Sequence, residues 1–136
     1  MELSSLDLSV SAEQGFEFEF VPEGSGVGSG LFFTVIGRHS DTVKDWTRKE
    51  VNKMRQREAF LIKKGKGDEF RQVEEDEEFS IKSAAIRIID FKGLTEGGKE
   101  LPFSKETALT LCRINQDIRD QVIAASDSLT NFTKSK

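Results

Sequence analysis

Between Gly15 and Pro22 the chain alternates Phe16, Phe18 and Phe20 with Glu17 and Glu19. A period of two marks a strand with one buried face. A glycine- and serine-rich stretch, 23–30, follows, and Leu31–Ile36 then forms a second β-rich run closed by Gly37. Two such strands predict an N-terminal β-hairpin over 16–37. Its loop is longer than the favoured two-residue turns, so its tip is expected to be mobile.

The period then changes. From Asp41 to Lys64, the residues Val43, Trp46, Val51, Met54, Leu61 and Ile62 fall within one arc at about 100° per residue. Arg48, Lys49, Asn52, Lys53, Arg55 and Gln56 occupy much of the remaining surface. This predicts a long amphipathic helix over 41–64, capped by Ser40 or Asp41 and ended by Gly65 and Gly67. Residues 65–78 read as a charged linker that closes on Glu74, Glu75, Asp76, Glu77 and Glu78. These acids repel one another, so they stay solvated or open the next helix, where the macrodipole favours negative charge.

Residues 79–133 read as a helical C-terminal part. A helix is predicted over Phe79–Ile89, although its AAIRII run also fits a strand. A turn-rich stretch, 90–103, follows, with Gly97-Gly98 at its tightest point. Ser104 starts a helix over Lys105–Arg113, and Asn115 caps another over Gln116–Ala125. Ser126 opens a last turn or two ending at Phe132, and the tail Thr133–Lys136 lacks an apolar anchor, so it is expected to be unordered. The expected fold class is therefore α+β: a mostly helical single domain over 1–136 with an N-terminal β-hairpin, since 136 residues support one core.

Charge and chemistry narrow the function. The net charge of −4 has the wrong sign for a general nucleic-acid binder. No apolar run approaches the ~20 residues that cross a bilayer. Met1–Ala12 lacks the basic and apolar regions of a signal peptide. Neither nucleic acid nor a membrane is expected as a partner, and the cytoplasm is the expected location. Cys112 is the sole cysteine and His39 the sole histidine, too few for a disulfide or a zinc site. Cys112 sits in a helical pattern beside Leu109 and Leu111 and reads as a small buried residue. The glycines of 24–30 lack the Lys-Ser/Thr of a phosphate loop, and the acidic run lacks the ligand spacing of a calcium loop. No catalytic, cofactor or metal site is expected, and no enzyme.

Binding to other proteins is left. The basic face of helix 41–64 carries Arg48, Lys49, Lys53, Arg55, Arg57, Lys63 and Lys64. It reads either as a solubilising face balanced by the acidic run or as a surface for an acidic partner. Between Arg48 and Arg57 no aromatic residue interleaves with these cations, which argues against stacking on bases. Ile114, Ile118, Val122 and Ala125 form a stripe at the spacing of helix anchors, suited to a core or to a helical client. The candidate partner-binding residues are Arg48, Lys49, Arg55, Ile118, Val122 and Phe132.

A series of short motifs runs through the C-terminal third: Phe91-Lys92-Gly93-Leu94, then Leu101-Pro102-Phe103-Ser104, then Ile118 to Gln121-Val122, then Asn131-Phe132. With the strand Gly30–Gly37 and the basic helix after Ser40-Asp41, this order resembles the tail assembly chaperones of long-tailed, lambda-like bacteriophages. The resemblance implies a protein made in the cytoplasm of the infected bacterial host and absent from the mature virion. It implies the tape-measure protein, the major tail-tube protein and further copies of itself as partners. It also implies a longer frameshifted form extended beyond Thr133–Lys136. The rival reading is a structural head–tail connector or tail-completion protein.

Overall fold

The computed structural model describes residues 1–65 and 73–133. A 3-10 turn at Leu3–Leu6 leads into the short helix α1 (Leu8–Glu13). The strands β1 (Phe16–Glu19) and β2 (Phe32–Val35) pair antiparallel, with Phe18 opposite Phe33. The alternation of Phe and Glu thus becomes the expected hairpin, and the protein is an α+β fold dominated by helices. The loop of the hairpin is held at both ends. Glu23 N–H donates to Asp117 Oδ2 at 2.7 Å, and Gln121 bonds both the N–H and the carbonyl of Val21. Gly30 N–H donates to Glu19 Oε2 at 2.8 Å. These anchors restrict the freedom expected of the loop to its tip.

Helix α2 (Asp41–Lys63) follows, with Ser40 as its cap: the buried Ser40 Oγ accepts from Val43 N–H at 3.1 Å. The helix closes at Lys64 and a left-handed Gly65, whose φ of +77° suits a residue without a side chain. Gly67, the other expected stop, lies outside the described residues.

Helix α3 (Val73–Arg87) corrects the expected linker over 65–78. Of that linker, 66–72 lie outside the described residues, and the acidic run lies within the first turns of α3. Glu75, Glu77 and Glu78 there each meet a basic residue of a different element, as described below, and the N-terminal end of a helix favours negative charge. The same helix stops at Arg87, two residues short of the expected Ile89, and the chain passes directly into β3 (Ile88–Lys92).

β3 pairs with β2 in the order β1-β2-β3. Phe33 lies opposite Phe91 and Val35 opposite Ile88, with a register shift between them. Ile88 and Phe91 are three positions apart and would face opposite sides of a regular strand. The extra residue of the bulge restores the phase, so both side chains enter the core while Ile89 turns outward. A spacing of three is also what a helix shows, which is why the run AAIRII reads both ways.

The stretch 90–103 holds the end of β3 and a small hairpin of β4 (Thr95–Glu96) and β5 (Lys99–Glu100). Gly93, with φ +86°, lies so close to the Gly30 carbonyl that any side chain there would collide with it. Helices α4 (Lys105–Ile114) and α5 (Gln116–Asp127) then pack across the sheet, followed by α6 (Thr130–Thr133). Ser104 accepts from Thr107 N–H and Asn115 from Ile118 N–H, the two caps expected. Asn115 breaks the helix with φ −138°, so Ile114 belongs to α4 and is exposed, outside the stripe that Ile118 and Val122 continue.

One core joins Phe33, Val35 and Phe91 of the sheet to Ile81, Ala84 and Ile88, to Ala108 and Cys112 of α4, and to Ile118 and Val122 of α5. α2 stands at its margin. Val43 is its fully buried residue, and Trp46 rests on Phe79 of α3 with ring centroids 5.3 Å apart. Residues 134–136, most of the tail expected to be unordered, lie outside the described residues.

Candidate partner-binding groove

The α2 residues Lys44, Arg48, Val51, Asn52 and Arg55 share one face, because steps of three and four return to the same side of a helix. They border a groove of ≈ 530 Å³ whose other wall is Arg38 and Arg87. The backbone explains why these two distant residues meet. Ile36 N–H donates to the Arg87 carbonyl at 2.8 Å, and Arg38 N–H donates to the Ser126 carbonyl at 3.1 Å. The buried Ser126 Oγ donates to the Ile36 carbonyl at 2.7 Å and accepts from Arg87 Nη1 at 3.2 Å. The end of β2, the end of α3 and α5 are thereby joined beneath α2.

The cations of the groove are unevenly neutralised. Arg87 meets Asp127 at 2.7 Å, yet its buried Nε has no hydrogen-bond partner. Arg48 pairs with Asp45 at 3.1 Å, and Lys44 lies 3.8 Å from Asp41. Arg38 Nε donates to His39 Nε2 at 3.4 Å. Among the described residues neither Arg38 nor Arg55 has an acidic partner.

Two of the six candidate residues, Arg48 and Arg55, therefore meet in the groove. Lys49 is exposed on α2 and does not line it. Ile118, Val122 and Phe132 are core residues, so their side chains offer no surface to a partner in this conformation. Sequence reasoning missed Arg38 and Arg87. Arg87 is the sole charge in the run Ala84–Ile89, a signal for an arginine held by specific partners. Nothing local marks Arg38, whose place depends on the hydrogen bond from its N–H to the distant Ser126 carbonyl.

The acidic run draws the other basic residues inward. Glu75 binds Arg57 of α2 at 2.6 Å, and Glu77 lies 3.8 Å from the buried Arg119 of α5. Glu78 takes both Nη1 and Nη2 of Arg113 on α4, at 2.6 and 2.9 Å. The hydrogen bonds from Arg113 hold the Glu78 carboxyl below its ordinary value of 4.5. The folded state thus favours the ionised form. The stabilisation is present above the ordinary carboxyl range and fades as pH falls through the lowered value. Both side chains remain more than one-third exposed, so solvent screening limits the pair to ~0.5–1 kcal/mol. Thermal melts should show Glu78→Gln less stable than the parent at pH 7, with the difference shrinking as pH falls below the ordinary carboxyl range. A difference that does not change with pH would show that the pair contributes nothing.

Burial pushes the Cys112 thiol up to about 11, so it stays protonated, as suits its place in the core. Among the described residues no three His, Cys, Asp or Glu side chains converge to hold a metal, and no helix is long and apolar enough to cross a membrane.

Fold and groove together define a small α+β protein with a cationic helix face held beside a mixed core. The YdaY prophage protein family model matches residues 44–136, from the first turns of α2 through all that follows. The chain belongs to that family and is of phage origin. No curated protein and no solved structure matches it.

Proposed function

We propose that this phage-derived protein is a tail assembly chaperone, a binding protein and not an enzyme. In this reading it works in the cytoplasm of the infected host, holds the tape-measure and tail-tube proteins during tail assembly, self-associates on them, and leaves before the virion is complete. The observation that carries the reading is α2. It has 23 residues, about 35 Å of helix, and Val43 is its fully buried one. A domain that needed α2 only for its core would bury a full apolar stripe, as α4 does with Ala108, Leu111 and Cys112. Instead α2 turns Phe60 and Ile62 outward near its C-terminal end, at 56% and 61% exposure. Apolar and cationic groups displayed on one helix suit the capture of a helical client.

Co-expression with the tape-measure protein of the same phage tests this. The tape measure should become soluble and co-purify with the chain, and purified particles should lack the chain. Particles that retain it would replace this reading with the head–tail connector or tail-completion part. Failure to co-purify with either tail protein would overturn it.

A further inference from the structure

We propose that the groove beside α2 is the docking site for an acidic amphipathic helix of a partner protein. This deepens the chaperone reading and rests on α2 as its partner-binding helix. The floor and rim of the groove differ in chemistry. Val43, Thr47 and Val51 follow one another at steps of four along its floor, a row of small β-branched side chains. Arg38 and Arg55 stand on its rim without acidic partners among the described residues.

A helix laid along the floor meets that row with its own apolar stripe and places its flanking carboxylates against the arginines. From Lys44 to Arg55 the groove follows α2 for roughly 16 Å, enough for about three turns of a client helix. Lys44 and Arg48 are held by the exposed Asp41 and Asp45 of their own helix, exchangeable partners that an incoming carboxylate can replace. A nucleic acid would use the cations but gain nothing from a floor of Val and Thr. The groove also has no aromatic side chain on which a base could stack.

The probe is a labelled peptide of about 18 residues built from Glu, Ala and Leu, with Leu at helical spacing. Its counterparts carry Lys for Glu, or Gln for Leu. The full chain should bind the acidic amphipathic peptide at about 50 mM salt and release it as salt rises. Arg38→Glu combined with Arg55→Glu should weaken binding about tenfold or more, whereas Lys49→Glu, on the same helix outside the groove, should change it less than about twofold. Gln for Leu should also weaken it. All three substituted side chains are exposed, and circular dichroism melts verify that the variants fold.

Equal binding of the Lys peptide, no binding of the acidic one, or no effect of the double variant would each overturn the proposal. So would tighter binding of a DNA duplex of about 20 base pairs, lost in the same double variant. Co-purification with the tape measure separates the two readings. If the double variant still captures it, the groove is not the site and the chaperone reading stands. If the parent binds the acidic peptide but not the tape measure, the groove stands and the chaperone reading falls.

Discussion

Val122→Asp should abolish the folded state. Val122 has no exposed surface and faces the core from the middle of α5, among Ile118, Cys112 and Phe33 in the same cluster. A carboxylate there loses its hydration among apolar neighbours, a cost of several kcal/mol. The total stability of a domain is of the order of 5–15 kcal/mol, so the variant should be insoluble or lack a cooperative melt. Ile114→Asp is the matched control, because Ile114 closes α4 at 72% exposure. Its melt should stay within about 0.5 kcal/mol of the parent. A soluble Val122→Asp chain melting like the parent would show that this face of α5 meets solvent and is free to bind a client.

Phe33→Ala should cost ~3–5 kcal/mol, the range for deleting a buried aromatic ring. Phe33 is fully buried at the centre of the three-stranded sheet. Its ring lies between those of Phe18 on β1 and Phe91 on β3, at 5.9 and 6.3 Å between centroids. Phe32, its neighbour, points to the other face, where it is half-buried under the Lys92 ammonium at 5.3 Å. Phe32→Ala should therefore cost ~1 kcal/mol or less, a cation–π contact at a solvated site. Urea denaturation of the pair measures the register of β2 directly. Reversed costs would mean that β2 is shifted by one residue, since such a slip exchanges its two faces.

The acidic run has a different consequence for stability. Five adjacent carboxylates repel, and a loop would relieve that by spreading them through solvent. Here α3 sends Glu75, Glu77 and Glu78 in different directions, so that they reach α2, α5 and α4 respectively. Self-repulsion along the chain becomes attraction between helices. It also consumes Arg57, Arg113 and Arg119, whereas Arg55 lies two residues from Arg57 on a different face of α2 and stays outside this network. Among the described residues Arg38 and Arg55, on the rim of the groove, stay outside internal ion pairing, which the net charge of the chain does not reveal.

The elements governed by local physics were legible in the residues alone. The Phe–Glu alternation, the caps Ser40, Ser104 and Asn115, and the span of α2 each depend on neighbours within four or so positions. Such rules hold wherever the segment is placed. The end of α3 was not legible in the same way, because Ile88 and Phe91 share a face through a bulge that exists only once β2 pairs with β3. The stripe expected from Ile114 begins instead at Ile118, since Asn115 interrupts the helix and leaves Ile114 exposed. Arg48 and Arg55 were visible as a basic face, yet a helix alone does not distinguish them from Lys49. What separates them is the arrival of Arg38 and Arg87, positioned by hydrogen bonds from Ile36 and Arg38 to residues 51 and 88 positions further along the chain. Periodicity and capping act over a few residues and are written in the sequence itself, whereas a groove forms between segments that become neighbours only when the core closes.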